Sequence, residues 1–228
     1  MEKRVLLITG ATSGIGKATA INAAKAGFKL ILTGRRENLL KELTEQIGGD
    51  KAIYIPGDIT KFKDQEKVVH TGVNHWGRLD AVFANAGIGS TTPGTEFGDP
   101  LSWDQIIDTN IKGILWTAKL TLPHLKKQKG HFLLTSSGAG KKVLKGSIYG
   151  ASKWFVQGFG GNLAAEMEQW GGKCTIISPG SVNTPIFDKP SNKRLSPDDV
   201  SEAVLYALNT NQKNIIREIR LVPNMNLD

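Results

Sequence analysis

The chain has a single cysteine, Cys174, among its 228 residues, so no intramolecular disulfide can form and a reducing compartment is expected. It has no uninterrupted apolar stretch near the ~18 residues that span a bilayer. The apolar run after Met1-Glu2-Lys3-Arg4 is too short for the core of a secretion signal. These gaps predict a cytoplasmic protein without a membrane partner. The four histidines, His70, His75, His124 and His131, share no ligand spacing with one another or with Cys174, so no metal is expected. Carboxylates are outnumbered, 21 against 29 lysines and arginines, for a net charge of +8. The densest basic clusters, Lys126-Lys127-Lys129 and Lys141-Lys142-Lys145, are short, and no nucleic-acid recognition motif accompanies them. The surplus therefore reads as solvated surface or as attraction for a small anion, not for nucleic acid. No repeat, low-complexity tract or linker divides the chain, which predicts one domain over 1–228.

What is present is an alternation of short apolar runs with longer helical patterns. Strands are expected near 4–9, 28–33, 52–57, 80–84, 130–136, 172–178 and 217–222. Helices are expected near 14–27, 36–48, 60–76, 101–128, 147–170 and 197–210. Runs such as Leu30-Ile31-Leu32 and Phe132-Leu133-Leu134 are continuous, as in strands covered on both faces. The pattern predicts an α/β fold: a Rossmann-type, doubly wound parallel sheet of about seven strands with helices on both faces.

Two motifs carry chemistry. The first, Thr9-Gly10-Ala11-Thr12-Ser13-Gly14-Ile15-Gly16, follows a strand and opens a helix. Glycine allows a tight turn and a close backbone approach to phosphate, and a helix N-terminus offers free N–H groups to an anion. Gly10, Thr12, Ser13, Gly14, Ile15 and Gly16 are thus expected to cradle a dinucleotide pyrophosphate. The second strand ends in Thr33-Gly34-Arg35-Arg36, where an NAD site would place a carboxylate for the ribose. Two guanidiniums there suit a 2′-phosphate, so NADP(H) is expected in preference to NAD(H).

The second motif is Tyr149-Gly150-Ala151-Ser152-Lys153. Its tyrosine and lysine stand four residues apart on one helix face. A nearby ammonium favours the phenolate and would lower the tyrosine pKa toward the range useful for proton transfer at neutral pH.

With these motifs in place, the chain resembles the short-chain dehydrogenase/reductase family over nearly its whole length. The resemblance extends through Asp58, Asn85-Ala86-Gly87, Asn110, Ser137 and Pro179-Gly180-Ser181-Val182-Asn183-Thr184. It implies that Asp58 and Ile59 meet the adenine and that Asn85, Ala86 and Gly87 line the cofactor groove. Pro179 and Gly180 would belong to the cofactor site, and Val182 and Thr184 would hold the carboxamide end. Ser137 would orient a substrate carbonyl, Tyr149 would exchange the proton, and Lys153 would bind the ribose and depress the tyrosine. Asn110 would support a water-linked proton relay. Each has a plainer alternative: Asn85 as a link between strands, Asp58 as a turn residue, Asn110 as a helix-bending residue. The implied activity is interconversion of a carbonyl and an alcohol on a small-molecule substrate. The alternative is a non-catalytic NADP(H)-binding regulator or sensor on the same fold. The helices near 101–128 and 147–170 would assemble a homodimer or homotetramer.

Two departures from the family pattern stand out. Ser137 lies one position nearer Tyr149 than is usual, where Ser136 would give the common spacing. The run Ser137-Gly138-Ala139-Gly140 matches the family's Ser-X-X-Gly, which favours Ser137 and a shortened loop at 141–146. The position before the second motif glycine, basic in some NADP-preferring members, is Ser13. A short lid at 186–196 predicts an open substrate end. Lys141, Lys142 and Lys145 either rim that end and favour anionic substrates or form a solvated loop.

Overall fold

The computed structural model describes residues 3–89, 94–187 and 189–224. Its strands are β1 (Val5–Thr9), β2 (Lys29–Gly34), β3 (Ala52–Pro56), β4 (Ala81–Ala84), β5 (His131–Thr135), β6 (Lys173–Pro179) and β7 (Glu218–Leu221). They form one seven-stranded sheet in the order β3-β2-β1-β4-β5-β6-β7, with every neighbouring pair parallel. The helices are α1 (Gly14–Lys25), α2 (Glu37–Ile47), α3 (Phe62–Trp76), α4 (Pro100–Ile107), α5 (Gly113–Gln128), α6 (Ile148–Glu168) and α7 (Pro197–Leu208). Among the described residues no helix is long and apolar enough to cross a membrane.

Strand side chains alternate between two cores. Leu6, Ile8, Leu30, Leu32, Phe83 and Leu133 face one side, where Ala20 and Ala24 of α1 and Val200 and Val204 of α7 cover them. Leu7, Ile31, Val82, Phe132, Leu134 and Ile176 face the other, under Val68 of α3, Ala118 of α5 and Val156 and Leu163 of α6. Both faces are dry, which is why the strand sequences are continuous rather than alternating. The small alanines of α1 let α7 pack closely beside it.

One expected element is corrected. The single helix at 101–128 is α4 and α5 joined by a π-helical turn, Asp108–Lys112. The turn holds Asn110, which is turned inward and fully buried. Its amide bonds to the neighbouring loop and to α6, and a widened turn accommodates those contacts. Local caps set other boundaries: Ser147 Oγ accepts from Gly150 N at the start of α6, and Ser196 and Asp199 form a reciprocal capping box at α7.

Candidate active site

The chain order reverses direction between β1 and β4, and a crevice opens at the carboxyl ends of those strands. A cleft of about 1140 Å³ lies there. It runs from Arg35 and Arg36 after β2, past the glycine turn, to Tyr149 and Lys153 on α6 and the segment after β6.

The glycine turn requires its glycines. Gly10 and Gly14 have φ of +66° and +51°, a region that disfavours side chains. A Cβ on Gly16 would sit 2.3 Å from the Gly10 carbonyl oxygen. Ser13 stands at the N-cap of α1 but makes no capping bond, and no acidic residue occupies the first turn. Its hydroxyl instead accepts from Arg36 Nη2 at 2.9 Å, and the same nitrogen donates to Thr12 Oγ1 at 2.6 Å. The free N–H groups of the helix start therefore face the cleft, with a guanidinium beside them. Uncapped donors, a backbone that can be closely approached and a flanking cation fit the phosphates of a dinucleotide.

Arg35 lies on the same rim, near enough to act on the charge of Asp58. Burial pushes the Asp58 carboxyl up, but bonds from Thr60 and the charges of Arg35 and Lys61 outweigh it and hold the group below its ordinary value. Asp58 Oδ1 accepts from Thr60 N at 2.9 Å and Thr60 Oγ1 at 2.8 Å, so it shapes its own turn while lining the cleft with Ile59.

Asn85 joins three strands. Its Nδ2 donates to the Thr9 carbonyl at 3.1 Å, and its Oδ1 accepts from Thr135 Oγ1 at 3.3 Å. The backbone N–H groups of Asn85 and Ala86 donate to Thr9 Oγ1 at 3.0 and 3.1 Å. Gly87 lies between Asn110 and Lys153: a Cβ there would be 3.3 Å from Asn110 Oδ1 and 3.5 Å from Lys153 Nζ. Asn110 Oδ1 accepts from Ile88 N at 2.9 Å, and its Nδ2 donates to the Ile88 carbonyl and to Ser152 Oγ, each at 3.0 Å. It thus ties the loop after β4 to α6.

Ser137, Tyr149 and Lys153 meet at the centre. Ser137 caps a 3-10 turn, Gly138–Lys141, with its Oγ accepting from Ala139 N at 3.1 Å. Its hydroxyl shares the cleft with the Tyr149 phenol and acts to lower that group's pKa. Ser136 points the other way and donates to the Lys153 carbonyl at 3.2 Å. Lys153, 4% exposed, donates from Nζ to the Thr135 carbonyl at 2.9 Å and lies 5.8 Å from the centre of the Tyr149 ring. Burial pushes its pKa down to about 8. The expected depression of the tyrosine is corrected: burial dominates and holds the phenol above its ordinary value, opposed only by Ser137. A phenolate in this half-buried position loses hydration that its surroundings do not make good.

Beyond β6, Gly180 N donates to the Leu221 carbonyl at 2.7 Å and fixes the turn after Pro179. Val182 pairs with Leu195 as an isolated parallel bridge, and Thr184 packs over Gly14. Asn183 closes the lid segment on itself, exchanging bonds of 2.8 and 2.9 Å with the backbone of Ser191. Asp188, inside the expected lid, lies outside the described residues. Lys141, expected either to rim the substrate end or to lie on a solvated loop, does not line the cleft. It is ion-paired with Glu218 of β7. Lys142 and Leu144 do line the cleft. Sequence reasoning missed Glu218, Gln157 and Ser178, which meet behind the serine turn. No spacing signals them, because they come from different elements.

Comparison with known proteins agrees with this architecture. The model of the short chain dehydrogenase family matches residues 4–195. An uncharacterized oxidoreductase of Staphylococcus aureus is 36% identical over 228 residues, covering 98% of each chain. An alcohol dehydrogenase from the archaeon Thermococcus sibiricus, complexed with 5-hydroxy-NADP, superposes with a TM-score of 0.90 at 27% identity, over 100% of this chain and 99% of that one. A 3-ketoacyl-(acyl-carrier-protein) reductase from Brucella melitensis, complexed with NADH, superposes with a TM-score of 0.88 at 27% identity, over 96% and 97% of the two chains.

Proposed function

The chain belongs to the short-chain dehydrogenase family, and on that footing we propose that it is an NADP(H)-dependent oxidoreductase that interconverts a carbonyl and an alcohol. The observation that carries the reading is the convergence of Ser137, Tyr149 and Lys153 in one cleft, with the Lys153 ammonium 5.8 Å from the tyrosine ring. When bound, the nicotinamide supplies or accepts the hydride. The residues of this chain position the substrate and handle the proton.

In reduction, the Ser137 hydroxyl donates to the carbonyl oxygen and orients it. Tyr149 keeps its proton at neutral pH, as an ordinary phenol does, and burial only raises its pKa further. It gives that proton to the same oxygen as negative charge develops there. Lys153, still protonated at pH 7 with a pKa of about 8, then stabilises the phenolate left behind. In oxidation the steps reverse. Asn110 holds the loop after β4 against the helix that bears Tyr149 and Lys153, and this tie is what its bonds support. Arg36, bonded to Thr12 and Ser13 at the glycine turn, and Arg35 beside it would take the 2′-phosphate. No carboxylate stands at the end of β2 to compete for that role.

The test is NADPH consumption over a panel of aldehydes, ketones, diketones and quinones, with Tyr149→Phe alongside. Turnover should fall by about 1000-fold in the variant, the scale of a lost general acid, while NADPH binding is kept. Turnover that survives the substitution overturns the mechanism. Tight NADPH binding by the wild type without turnover of any carbonyl favours a sensor.

A further inference from the structure

Glu218 opens β7 and sits behind the cleft, with its side chain 22% exposed. It gathers three elements. One oxygen, Oε1, accepts from Ser178 Oγ of β6 at 2.7 Å and from Gln157 Nε2 of α6 at 3.1 Å. The other, Oε2, pairs with the Lys141 ammonium at the end of the 3-10 turn that Ser137 starts. Gln157 Nε2 extends the set to Ser178 Oγ at 2.8 Å and Ser136 Oγ at 3.1 Å. Ser136 Oγ in turn donates to the backbone carbonyl of Lys153 at 3.2 Å.

The carboxylate therefore touches the last residue of the turn that carries Ser137. It also touches the helix that carries Tyr149 and Lys153, one turn beyond the lysine. No other described contact joins the two so directly through a charged group on a third element. A half-exposed ion pair alone contributes little to stability. A carboxylate with three donors fixed on three elements has little freedom to move, and neither do they.

We propose that Glu218 is a positioning residue, which sets the distance between Ser137 and Tyr149 by holding the serine turn against α6. This rests on the roles of Ser137 and Tyr149 proposed above. Glu218 touches neither substrate nor cofactor, so its loss should act on the chemical step and not on cofactor binding. A small misplacement of reacting groups is enough to be felt in the rate.

The test compares E218A, E218Q and K141M with Arg217→Ala, a neighbouring change that removes only the outward pair with Glu168. E218A should lower kcat by about tenfold on the best carbonyl of the panel, with KM for NADPH unchanged. E218Q, which keeps an acceptor for Ser178 and Gln157 but loses the ion pair, should fall between E218A and wild type, close to K141M. The double variant E218A/K141M should be no worse than E218A, because the pair acts as one unit. Arg217→Ala should match wild type. Amide hydrogen exchange over 138–147 gives a readout independent of activity and should quicken in E218A and K141M only. Wild-type kcat in E218A, E218Q and K141M overturns the proposal, and so does unchanged exchange. A kcat loss matched by an equal loss of NADPH affinity also overturns it. If E218A fails to fold, E218Q and K141M decide. Tyr149→Phe separates the two levels. If it keeps turnover, the proposed mechanism fails whatever Glu218 does. If it is inactive while the Glu218 and Lys141 variants are normal, only this inference fails.

Discussion

At the glycine-turn end of the cleft, backbone meets backbone: a single Cβ on Gly16 would stand 2.3 Å from a carbonyl oxygen, and Asn85 stitches three strands together beneath it. At the other end, Leu144, Ile186 and Phe187 reach in from loops with much of their surface in solvent, and Val143 beside them is 95% exposed. The first end is built from the ends of buried strands and has no slack. The second is built from connections that the core does not restrain. A fold arranged this way keeps one binding half fixed and leaves the other free to vary with the substrate.

The sharpest way to break the comparison is Gly16→Ala against Ile186→Ala. The glycine change should weaken NADPH binding by about 100-fold, or about 2.7 kcal/mol, because backbone must shift to admit the methyl. The isoleucine change should leave NADPH affinity where it was. Fluorescence titration of NADPH reads both, and equal losses would erase the distinction drawn between the two ends. Next is Arg36→Ala. Removing a charge-assisted donor to phosphate should cut the NADPH-to-NADH ratio of kcat/KM by about tenfold or more. An unchanged ratio would leave the proposed NADP preference without its main support.

Between the two ends lies Lys153, and its prediction concerns stability. The folded chain releases this proton near pH 8, against an ordinary value of 10.5. Folding is therefore penalised at neutral pH, by about 3 kcal/mol, and the penalty fades as pH rises from 8 to 10.5. Lys153→Met should abolish turnover yet raise Tm at pH 7 by about 5 °C, after about 1 kcal/mol is returned for the Thr135 carbonyl left without its donor. The gain should shrink through that same pH window. A lower Tm than wild type at pH 7 would show that the lysine stabilises its surroundings.

The strands were legible because each is an unbroken apolar run, and burial on both faces leaves no reason for polar residues to interrupt it. β1, expected at 4–9, is Val5–Thr9, and β5, expected at 130–136, is His131–Thr135. The π turn at Asp108–Lys112 was hidden in what reads as one long helix, because its cause is Asn110 reaching Ile88 and Ser152, 22 and 42 residues away. The choice between Ser136 and Ser137 was equally out of reach of spacing. Adjacent side chains diverge, and only the packing of α6 shows that Ser136 meets the Lys153 backbone while Ser137 meets Tyr149.

The sequence by itself determined the parallel sheet, the glycine turn and the identity of the groups that meet in the cleft, because each depends on local pattern or on spacing within one element. Tertiary structure alone decided the electrostatics and the ties. The Tyr149 phenol is raised and not lowered because burial depends on everything packed around it. Lys141 pairs with Glu218, 77 residues along the chain, because β7 comes to rest beside β6. Both are properties of neighbours that no stretch of sequence contains.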